Sequence, residues 1–349
     1  MAQVTIHQVA KAAGVSSSTI SNYLNGRMNR MVPATRDRIS AAIEELGYRP
    51  NRAARQLRTG QTQRVGLIVP SVANPFWGAF AREIEVAALE VGSSVLLCNS
   101  ERDPDRERRY VEELWDDGVR GIVLCTSLPS LDHFADLIDR GLRLIAFDRP
   151  AQPSDPPSVV SISIDNSVGG FVSTSHLLEL GHTRIAFVSR SLGALNRAGR
   201  YEGFRQAIQK AGLDINDMPV WSDPDDSDAF GDVDAAGVGR AAAHALFEGA
   251  ENPPTAVVAI NDMTALGFCR GLRDLGLTVG RDVSVIGFDD IVLADLYDPP
   301  LTTVRQPTAE LAKLAITEAI RTDAPEAGGR AVLLRPELIV RQSTAAPAV

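Results

Sequence analysis

Polar and aromatic side chains recur at one kind of position in this 349-residue sequence, directly after a predicted buried strand or in the helix that follows it. The positions are Asn74, Phe76, Trp77, Asp148, Arg149, Asp165, Arg200, Trp221, Asn261 and Asp289. Carboxylates and guanidinium groups bind hydroxyls through charge-assisted hydrogen bonds, and aromatic rings cover the apolar face of a sugar. Because ligands of open α/β sheets bind at the carboxyl ends of the strands, the set predicts a small-molecule pocket.

Each of these residues alone also has a purely structural interpretation. Asp and Asn after a strand often cap the next helix, and a single Trp is more often a core residue than a ligand contact. The repetition at successive strand ends, rather than any one residue, favours a binding site.

The sequence does not carry the patterns of an enzyme built on such sheets. It has no Gly-x-Gly-x-x-Gly after a strand, no phosphate loop and no Gly-x-Ser-x-Gly elbow. Asp289 and Asp290 are adjacent at one strand end, so their side chains point to different faces and do not form an acid/base pair. Cys98, Cys125 and Cys269 lie far apart without metal-ligand spacing, which predicts free thiols, no metal and no cofactor.

A second group of candidate contacts, near the N-terminus, fits nucleic acid. Ser17, Ser18 and Asn22 occupy exposed positions at the start of a predicted short helix, where small hydroxyls contact bases or phosphates and Asn pairs with adenine. The alternative is that Ser16, Ser17 and Ser18 only cap this helix, and for Ser16 we favour capping.

Local signals predict three short helices around these residues. Thr5 and Gln8 fit a capping box, and Gly14 supplies a left-handed stop. Ile20 and Leu24 follow on the inner face of the second helix. The third begins near Pro33 and ends at Gly47. Two short helices joined by a tight turn and braced by a third predict a helix-turn-helix unit, whose second helix enters the major groove.

The stretch after this unit predicts a short additional helix, capped by Asn51 and ended by Gly60. A helix of two turns is marginal in water, so it needs a partner such as DNA and its twin from a second subunit. Leu57 lies among arginines there, which fits an apolar wedge in the minor groove, although an ordinary linker with one exposed leucine is the alternative.

Charge divides the chain at the same place. Residues 1–63 contain nine Lys or Arg against three acids, whereas the rest contains 26 against 41, within an overall net charge of −9. A basic head on an acidic body indicates that only the head meets a polyanion, although a solvated basic surface has the same composition. The sequence shows no export signal and no apolar run that spans a membrane, so we expect a cytoplasmic protein.

From residue 64 onward, apolar strands alternate with helices, which predicts parallel sheets covered on both faces. The predicted strands are Val65–Val69, Val95–Cys98, Gly121–Cys125, Leu144–Asp148, Val159–Ile164, Ile185–Val188, Ala256–Ile260 and Val283–Phe288. Their number favours two successive sheets. The predicted fold class is therefore an all-α helix-turn-helix head followed by an α/β sensor with two doubly wound parallel-sheet lobes.

Several runs resemble the lactose/galactose repressor family of bacterial transcription regulators. Thr5–Ser16, Thr19–Ser21 with Leu24-Asn25, Val32–Arg36 and Leu46–Ala54 match its DNA-binding head, and Pro299–Gln306 matches the end of its sensor. The similarity extends from about Val4 to Ser343. It implies a periplasmic-binding-protein-like sensor whose two lobes are joined by three crossovers, near Ile164, Arg305 and Arg330.

The resemblance also implies domain boundaries. They are a head over residues 1–48, a hinge helix and linker over 49–63, an N-terminal lobe over 64–164 with 306–329, and a C-terminal lobe over 165–305 with 330–349. It places the effector contacts at positions matching Phe76, Trp77, Asp148, Arg200, Trp221, Asn261 and Asp289. Asp165 matches a position that supports the pocket arginine, and Gln306 matches a crossover position near the cleft. Asn74 and Arg149 are further candidates.

On the DNA side, the resemblance implies a homodimer on a palindromic operator with a central CpG step, into which Leu57 inserts. The candidate DNA contacts are Thr5, Ser16, Ser17, Ser18, Thr19, Ser21, Asn22, Asn25, Arg30, Asn51, Ala54 and Leu57. Asn22 replaces the Arg that is usual in the family, so the resemblance does not carry over to the base that is read there.

The function implied is a repressor controlled by a small molecule, with a sugar or sugar derivative as the first candidate and a nucleoside or purine as the second. A sugar-binding protein without DNA control is the alternative, but it leaves the basic head unexplained.

Overall fold

A computed structural model describes residues 4–24, 31–48, 64–126, 128–222, 234–323 and 330–348. The chain divides into two compact units, Met1–Thr62 and Gln63–Val349. The first unit contains the predicted helix-turn-helix head. The second contains the predicted sensor.

The head folds as three helices, as the sequence predicts. They are α1 (Ile6–Ala13), α2 (Ser17–Leu24) and α3 (Pro33–Leu46). The Thr5 hydroxyl accepts a hydrogen bond from the Gln8 backbone N–H, and the Gln8 side chain accepts from the Thr5 N–H at 2.8 Å, so the capping box is confirmed. Gly14 ends α1 with φ 64° and ψ 40°, the left-handed conformation that glycine adopts without steric cost.

A small apolar core holds the three helices together. Val9 and Ala13 of α1, Ile20 of α2 and Ile39 of α3 are buried. Leu24, Ile43 and Leu46 pack against them at the edge of the cluster, as their helical spacing predicts. Burial of this apolar face, rather than intrinsic propensity, stabilises helices of eight residues.

The N-terminal lobe of the sensor is built on one parallel sheet. Its strands are β1 (Arg64–Val69), β2 (Ser94–Asn99), β3 (Gly121–Cys125), β4 (Arg143–Phe147), β5 (Val160–Ile164) and β11 (Arg330–Leu334), in the order β11-β5-β4-β3-β1-β2. The helices of this lobe are α4 (Pro75–Glu90), α5 (Pro104–Asp116), α6 (Ala135–Asp139) and α12 (Thr308–Ala319). Phe80 of α4 and Leu311 of α12 are buried in one core cluster, whereas Val111 of α5 and Ile138 of α6 are buried in another. The helices therefore supply two separate clusters, as expected for a sheet covered on both faces.

The C-terminal lobe has its own, smaller parallel sheet. Its strands are β6 (Ile185–Ser189), β7 (Val220–Ser222), β8 (Ala256–Ala259) and β9 (Ser284–Ile286), in the order β7-β6-β8-β9. The helices are α7 (Asn166–Glu179), α8 (Leu195–Lys210), α9 (Ala235–Phe247), α10 (Asp262–Asp274) and the short α11 (Val292–Leu296). A separate antiparallel pair, β10 (Thr303–Arg305) with β12 (Glu337–Ile339), completes this part of the chain.

The predicted lobe boundary at residue 330 is wrong by a few residues. The predicted C-terminal lobe includes Arg330–Leu334, but these residues form the edge strand β11 beside β5 in the N-terminal sheet. The backbone register Arg330↔Val160 to Leu334↔Ile164 completes the hydrogen bonds of β5 on its open side. The third change of lobe therefore follows Leu334, before β12.

Two further properties bear on the class of protein. No helix among the described residues combines the length and the apolar character that crossing a bilayer requires. The three cysteines are free thiols, and within the described ranges no cluster of three or more His, Cys, Asp or Glu side chains has a geometry that could hold a metal ion.

Candidate functional site

Side chains from both lobes of the sensor line one pocket. The N-terminal lobe contributes Asn74, Phe76, Trp77, Arg102 and Asp148, and Gln306 lies at a crossover. The C-terminal lobe contributes Asn196, Arg197, Arg200, Ile260, Asn261 and Asp289. Eight of these positions belong to the set predicted from the sequence, although they are spread over more than 200 residues of chain.

The strand ends explain why the residues meet. Asn74 follows β1, Arg102 follows β2 and Asp148 follows β4, all at the carboxyl edge of the N-terminal sheet. Asn261 follows β8 and Asp289 follows β9 at the corresponding edge of the second sheet. Parallel strands bring their carboxyl ends to one edge, so two parallel sheets supply one cleft with loops from both lobes.

Arg200 is fixed by four contacts. Its Nε donates to Asn166 Oδ1 at 2.9 Å and its Nη1 donates to the carbonyl oxygen of Ile260 at 2.6 Å. Its Nη2 lies 3.9 Å from Asp289 Oδ1, and its guanidinium carbon lies 3.6 Å from the centre of the Phe288 ring. The guanidinium plane is thus held by partners on several elements, which suits it to orient a bound ligand.

Both carboxylates of the pocket have a partner from another element. Asn196 of α8 donates to Asp148 Oδ2 at 2.6 Å, which links the two lobes directly across the cleft. Gln306 Nε2 donates to Asp289 Oδ1 at 2.7 Å. These groups offer the donors and acceptors that a polyol requires, arranged on opposite walls of the pocket.

The two asparagines of the pocket also cap helices. Asn74 Oδ1 accepts from the Phe76 N–H at 3.1 Å at the start of α4, and Asn261 Oδ1 accepts from the Thr264 N–H at 2.8 Å at the start of α10. Both asparagines therefore cap a helix, as such residues often do after a strand, and they also line the pocket. Phe76 and Trp77 meet edge to face, with ring centres 4.9 Å apart, and form the aromatic wall.

The backbone around the pocket is strained. Five non-glycine residues of the described chain have positive φ angles: Glu101, Arg102, Asp148, Asp289 and Asp290. All five lie at strand ends that border the cleft. Such conformations persist only where the surroundings enforce them, and they concentrate at binding sites.

The remaining space in the pocket is small. It measures about 20 Å³, which is room for one water molecule. A ligand the size of a sugar therefore requires the lobes to separate or the lining side chains to withdraw.

The buried Glu107 lies close to Arg102, the pocket arginine that follows β2. Burial raises the pKa of Glu107 to about 7, against the lowering effects of a hydrogen bond from Thr126, the charge of Arg102 and a hydrogen bond from Ser100.

On the other side of the cleft, burial and the nearby charge of Asp289 raise the pKa of Asp262 well above its ordinary value.

Three predicted residues do not line the pocket. Arg149 is completely buried and forms an ion pair with Asp155 at 3.0 Å. Asp165 caps α7, with its carboxylate accepting from the Val168 N–H. Trp221 lies on β7, partly buried against the apolar core. The predicted support of Arg200 by Asp165 is wrong, because the neighbouring Asn166 accepts that hydrogen bond.

The sequence analysis does not include three polar residues that line the pocket, Arg102, Asn196 and Arg197. Two features of the sequence could have identified them. Arg102 follows β2, so inspection of that strand end by the rule applied to the others finds it. Asn196 and Arg197 precede Arg200 by one helical turn on α8, a spacing that places residues on the same face of a helix.

Some candidate DNA contacts of the head cap helices or bind other side chains, whereas others are exposed. The Ser16 hydroxyl accepts from the Thr19 N–H at 3.2 Å, so Ser16 caps α2 as favoured. Ser17 bonds to His7 Nδ1 at 2.9 Å, whereas Ser18 and Asn22 are exposed and four residues apart, on one face of α2. Thr5 serves the capping box, and Thr19 and Ser21 are half-buried. The other predicted positions lie outside the described residues: Asn25, Arg30, Asn51, Ala54 and Leu57.

Comparison with known proteins adds two family matches. Residues 5–51 match the model of the bacterial regulatory proteins of the lacI family. Residues 174–344 match the periplasmic binding protein-like domain.

Individual proteins are similar along almost the whole chain. The ribose operon repressor of Escherichia coli (strain K12) is 36% identical over 97% of this chain and 99% of its own. A crystal structure of the lac repressor dimer bound to operator and the anti-inducer ONPF has 27% identity and a TM-score of 0.79, covering 99% of this chain and 100% of that one. A regulator from Enterococcus faecium with bound ribose has 28% identity and a TM-score of 0.70, over 82% of this chain and 100% of that one.

Proposed function

The chain belongs to the lacI family of bacterial regulatory proteins, and we propose that it is a transcriptional repressor whose binding to operator DNA is controlled by a small molecule in the inter-lobe pocket. The observation that carries the proposal is the pocket itself. Two carboxylates, three arginines and an aromatic wall converge there from separate strand ends of both lobes. The strained backbone at the same strand ends supports a binding role.

The chemistry of the pocket favours a sugar or sugar derivative. Asp148 and Asp289 accept hydrogen bonds from hydroxyl groups, and Arg200 donates to hydroxyl oxygens. Phe76 and Trp77 cover the apolar face of a ring. Ribose is bound by a solved relative, and a ribose operon repressor is among the similar proteins, which supports the same class of ligand here.

Control of DNA binding follows from closure of the lobes. The Asn196–Asp148 hydrogen bond joins the lobes, and the closed pocket holds no more than one water molecule. A ligand that replaces this direct contact favours a different degree of closure and so shifts the population of the DNA-binding conformation. No step requires catalysis, in keeping with relatives that are transcription regulators.

For DNA, we propose that α2 enters the major groove and that Ser18 and Asn22 face the bases. The protein acts as a homodimer on a palindromic operator, in the cytoplasm. Leu57 as a wedge at the central step remains a prediction from the family resemblance. Apart from the reassigned residues Arg330–Leu334, the domain limits also remain predictions from the family resemblance.

The test is operator binding with and without ligands. An operator is selected from random DNA with the full chain, and its dissociation constant is measured by fluorescence anisotropy. Sugars, sugar acids, sugar phosphates and nucleobases are then added at millimolar concentration. We expect one compound class to change operator affinity at least about fivefold, the lower end of typical allosteric coupling. A selected pool without any consensus sequence would contradict the proposal.

A further inference from the structure

The turn after β9 presents Asp289 to the pocket in a conformation that side chains rarely adopt. Asp289 and Asp290 have φ angles of 115° and 53°, so two consecutive non-glycine residues have positive φ. Such a conformation persists only where surrounding contacts enforce it. The direction of the Asp289 carboxylate therefore depends on groups from other elements that fix the backbone of this turn.

Three consecutive backbone N–H groups of the turn donate to partners on other elements. The N–H of Asp289 donates to a backbone carbonyl oxygen of β10 at 2.8 Å, and the N–H of Asp290 donates to the Thr303 hydroxyl at 3.3 Å. The N–H of Ile291 donates to Asp262 Oδ2 at 2.9 Å. Two of the three hydrogen bonds therefore depend on side chains, those of Thr303 and Asp262.

Asp262 and Thr303 also bond to each other. The Thr303 hydroxyl donates to Asp262 Oδ1 at 2.5 Å, and both residues are 0% exposed. Asp262 is the first residue of α10, directly after the pocket residue Asn261, and Thr303 is the first residue of β10, which leads to Gln306. The pair therefore ties the turn to a helix and to a strand that each carry a pocket residue next to their end.

Close packing fixes the position of the Asp262 carboxyl group. A Cβ atom at Gly287 would lie 2.1 Å from Asp262 Oδ1 and 2.9 Å from Leu301 Cδ2. The carboxyl group thus lies directly against the backbone two residues before Asp289, in space that only a glycine leaves open. Its position is determined by packing on one side and by two hydrogen bonds on the other.

The electrostatic surroundings suit a supporting role for Asp262. Burial, followed by the nearby charge of Asp289, raises the pKa of Asp262 well above its ordinary value. These effects favour the protonated form, which does not repel the Asp289 carboxylate. Asp262 can therefore hold the turn without weakening the charge that faces the pocket.

We propose that Asp262, together with Thr303, is a positioning residue of the effector pocket: the two side chains hold the backbone of the Asp289–Asp290 turn so that the Asp289 carboxylate points at the effector. This inference rests on the proposed function, since it assigns a role in effector binding at the same pocket. A purely structural role would lower the stability of the folded chain but leave its affinity for an effector unchanged.

The experiment measures affinity and stability separately on the full chain. D-Ribose is the probe, because a solved relative binds it, and isothermal titration calorimetry gives its dissociation constant. Asp262→Ala removes both acceptor oxygens and should weaken binding at least about tenfold, the effect of one buried hydrogen bond. Thr303→Val keeps the shape of the side chain and should weaken binding by a similar factor. Asp262→Asn and Thr303→Ser retain polar groups at the same places and should recover most of the loss.

Ser343→Ala is the matched control. Ser343 is 0% exposed, and its hydroxyl accepts from the Thr302 N–H at 2.8 Å and donates to the Val285 carbonyl oxygen at 2.6 Å. Neither bond involves the turn that carries Asp289. This variant should therefore lose stability in urea unfolding and keep the affinity of the unaltered chain. Asp262→Ala combined with Thr303→Val should lose less than the product of the single losses, because both act on one turn.

Crystal structures of the ligand-free full chain test the same inference without a ligand. In Asp262→Ala, residues 289 and 290 should lose their positive φ angles, and the 2.7 Å hydrogen bond from Gln306 Nε2 to Asp289 Oδ1 should break. An unchanged turn in this variant, or a variant that loses stability but keeps its affinity for D-ribose, would overturn the inference and leave the proposed function intact. If the unaltered chain does not bind D-ribose, that result concerns the ligand class of the proposed function, and the conformation of the turn still decides the inference.

Discussion

The two aspartates after β9 show how one strand end serves both the pocket and the framework. Asp289 faces Gln306 and Arg200 in the cleft. Asp290 points away, to Arg305 at 2.6 Å and Arg341 at 2.7 Å. The two side chains point to different sides, as the sequence analysis expects, although the cause is not the alternation of an extended strand, because Asp289 and Asp290 have φ angles of 115° and 53°. The pair therefore allows a comparison between a residue of the pocket and a residue of the framework.

Asp289→Asn should therefore weaken ligand binding, whereas Asp290→Asn should lower the stability of the folded chain. Asp289→Asn keeps an acceptor for Gln306 but removes the charge beside Arg200, so we expect at least about tenfold weaker ligand binding with a small change in stability. Asp290→Asn breaks two ion pairs of a carboxylate that is 9% exposed, and should cost about 1–3 kcal/mol of unfolding free energy with ligand affinity preserved. Calorimetry and urea unfolding measure the two effects. An Asp290→Asn chain that is fully stable but binds no ligand would reverse the assignment.

Glu107 makes a specific contribution to the pH dependence of stability. Folding raises its pKa from an ordinary value of 4.5 to about 7, mainly because burial disfavours the charged form. Between these values the folded chain binds more protons than the unfolded chain, so the free energy of unfolding falls as the pH rises through this range.

Glu107→Gln should remove that fall. The amide imitates the protonated carboxyl and can still accept a hydrogen bond from Thr126. Relative to the unaltered chain, the variant should gain stability between pH 5 and pH 8 by up to about 3 kcal/mol. Urea unfolding at several pH values measures the difference. Glu112→Gln, at an exposed position on the same helix, is the control and should leave the pH profile unchanged. Parallel profiles for all three chains would show that Glu107 titrates normally.

At the scale of elements, the contact between α7 and α8 positions Arg200. A Cβ atom at Gly203 would lie 1.9 Å from the Ser167 carbonyl oxygen, and one at Gly170 would lie 2.0 Å from that of Arg200. The two helices therefore touch through backbone at glycine. This close contact places Asn166 of α7 within hydrogen-bond distance of the Arg200 side chain.

Gly203→Ala should separate these helices. The clash involves backbone, which cannot rotate away, so we expect a loss of about 1–3 kcal/mol in unfolding free energy and weaker ligand binding through displacement of Arg200. Gly78→Ala is the matched control, because Gly78 is an exposed helical residue with no atom within 4 Å of its added Cβ. That variant should be stabilised by up to about 1 kcal/mol. Equal stability of the two variants, measured by thermal unfolding, would contradict the packing argument.

The sequence predicts elements best where local chemistry marks them. Gly14 and Gly47 end helices of the head in the left-handed conformation, and all eight predicted strands exist. The missed strands, β7, β10, β11 and β12, are short or partly exposed and gain their structure from distant partners. Ala331–Leu334 is a continuous apolar run, but a run of four residues does not by itself distinguish a strand from a helix, and only the pairing with β5 makes Arg330–Leu334 the sixth strand of the sheet.

The same distinction applies to the pocket. Strand ends predict which residues meet, because parallel topology brings them to one edge. The sequence could not predict side-chain direction at each position: Trp221 lies within the short strand β7 and packs against the core, and Arg149, directly after Asp148, pairs with Asp155. Backbone conformation after the strand decides this, and the positive φ of Asp148 depends on tertiary contacts rather than on residue type.

At the scale of the whole molecule, charge and core divide the chain at the same place. Residues 1–63 contain nine basic and three acidic residues, whereas the remainder contains 26 and 41. Among the residues that the structure describes, the apolar clusters of the sensor include none from the head, and the head has its own cluster around Ile20 and Ile39. Each unit therefore has the core that an independently folding domain requires, and only the head has the charge that attracts DNA.

A chain of residues 64–349 should accordingly separate the two activities. We expect it to fold and to be stabilised by an effector as the full sensor is. The gain in unfolding free energy should be about 2.7 kcal/mol when the effector is present at one hundred times its dissociation constant. It should not bind DNA at any salt concentration, whereas the full chain should lose DNA affinity steeply as salt rises, since its basic head displaces counterions from phosphates. Anisotropy with labelled DNA between 50 and 300 mM salt, roughly the range over which such binding weakens, and thermal unfolding with effector measure both. A truncated chain that still bound DNA with the salt dependence of the full chain would place the DNA-binding surface on the acidic sensor, against the division of charge.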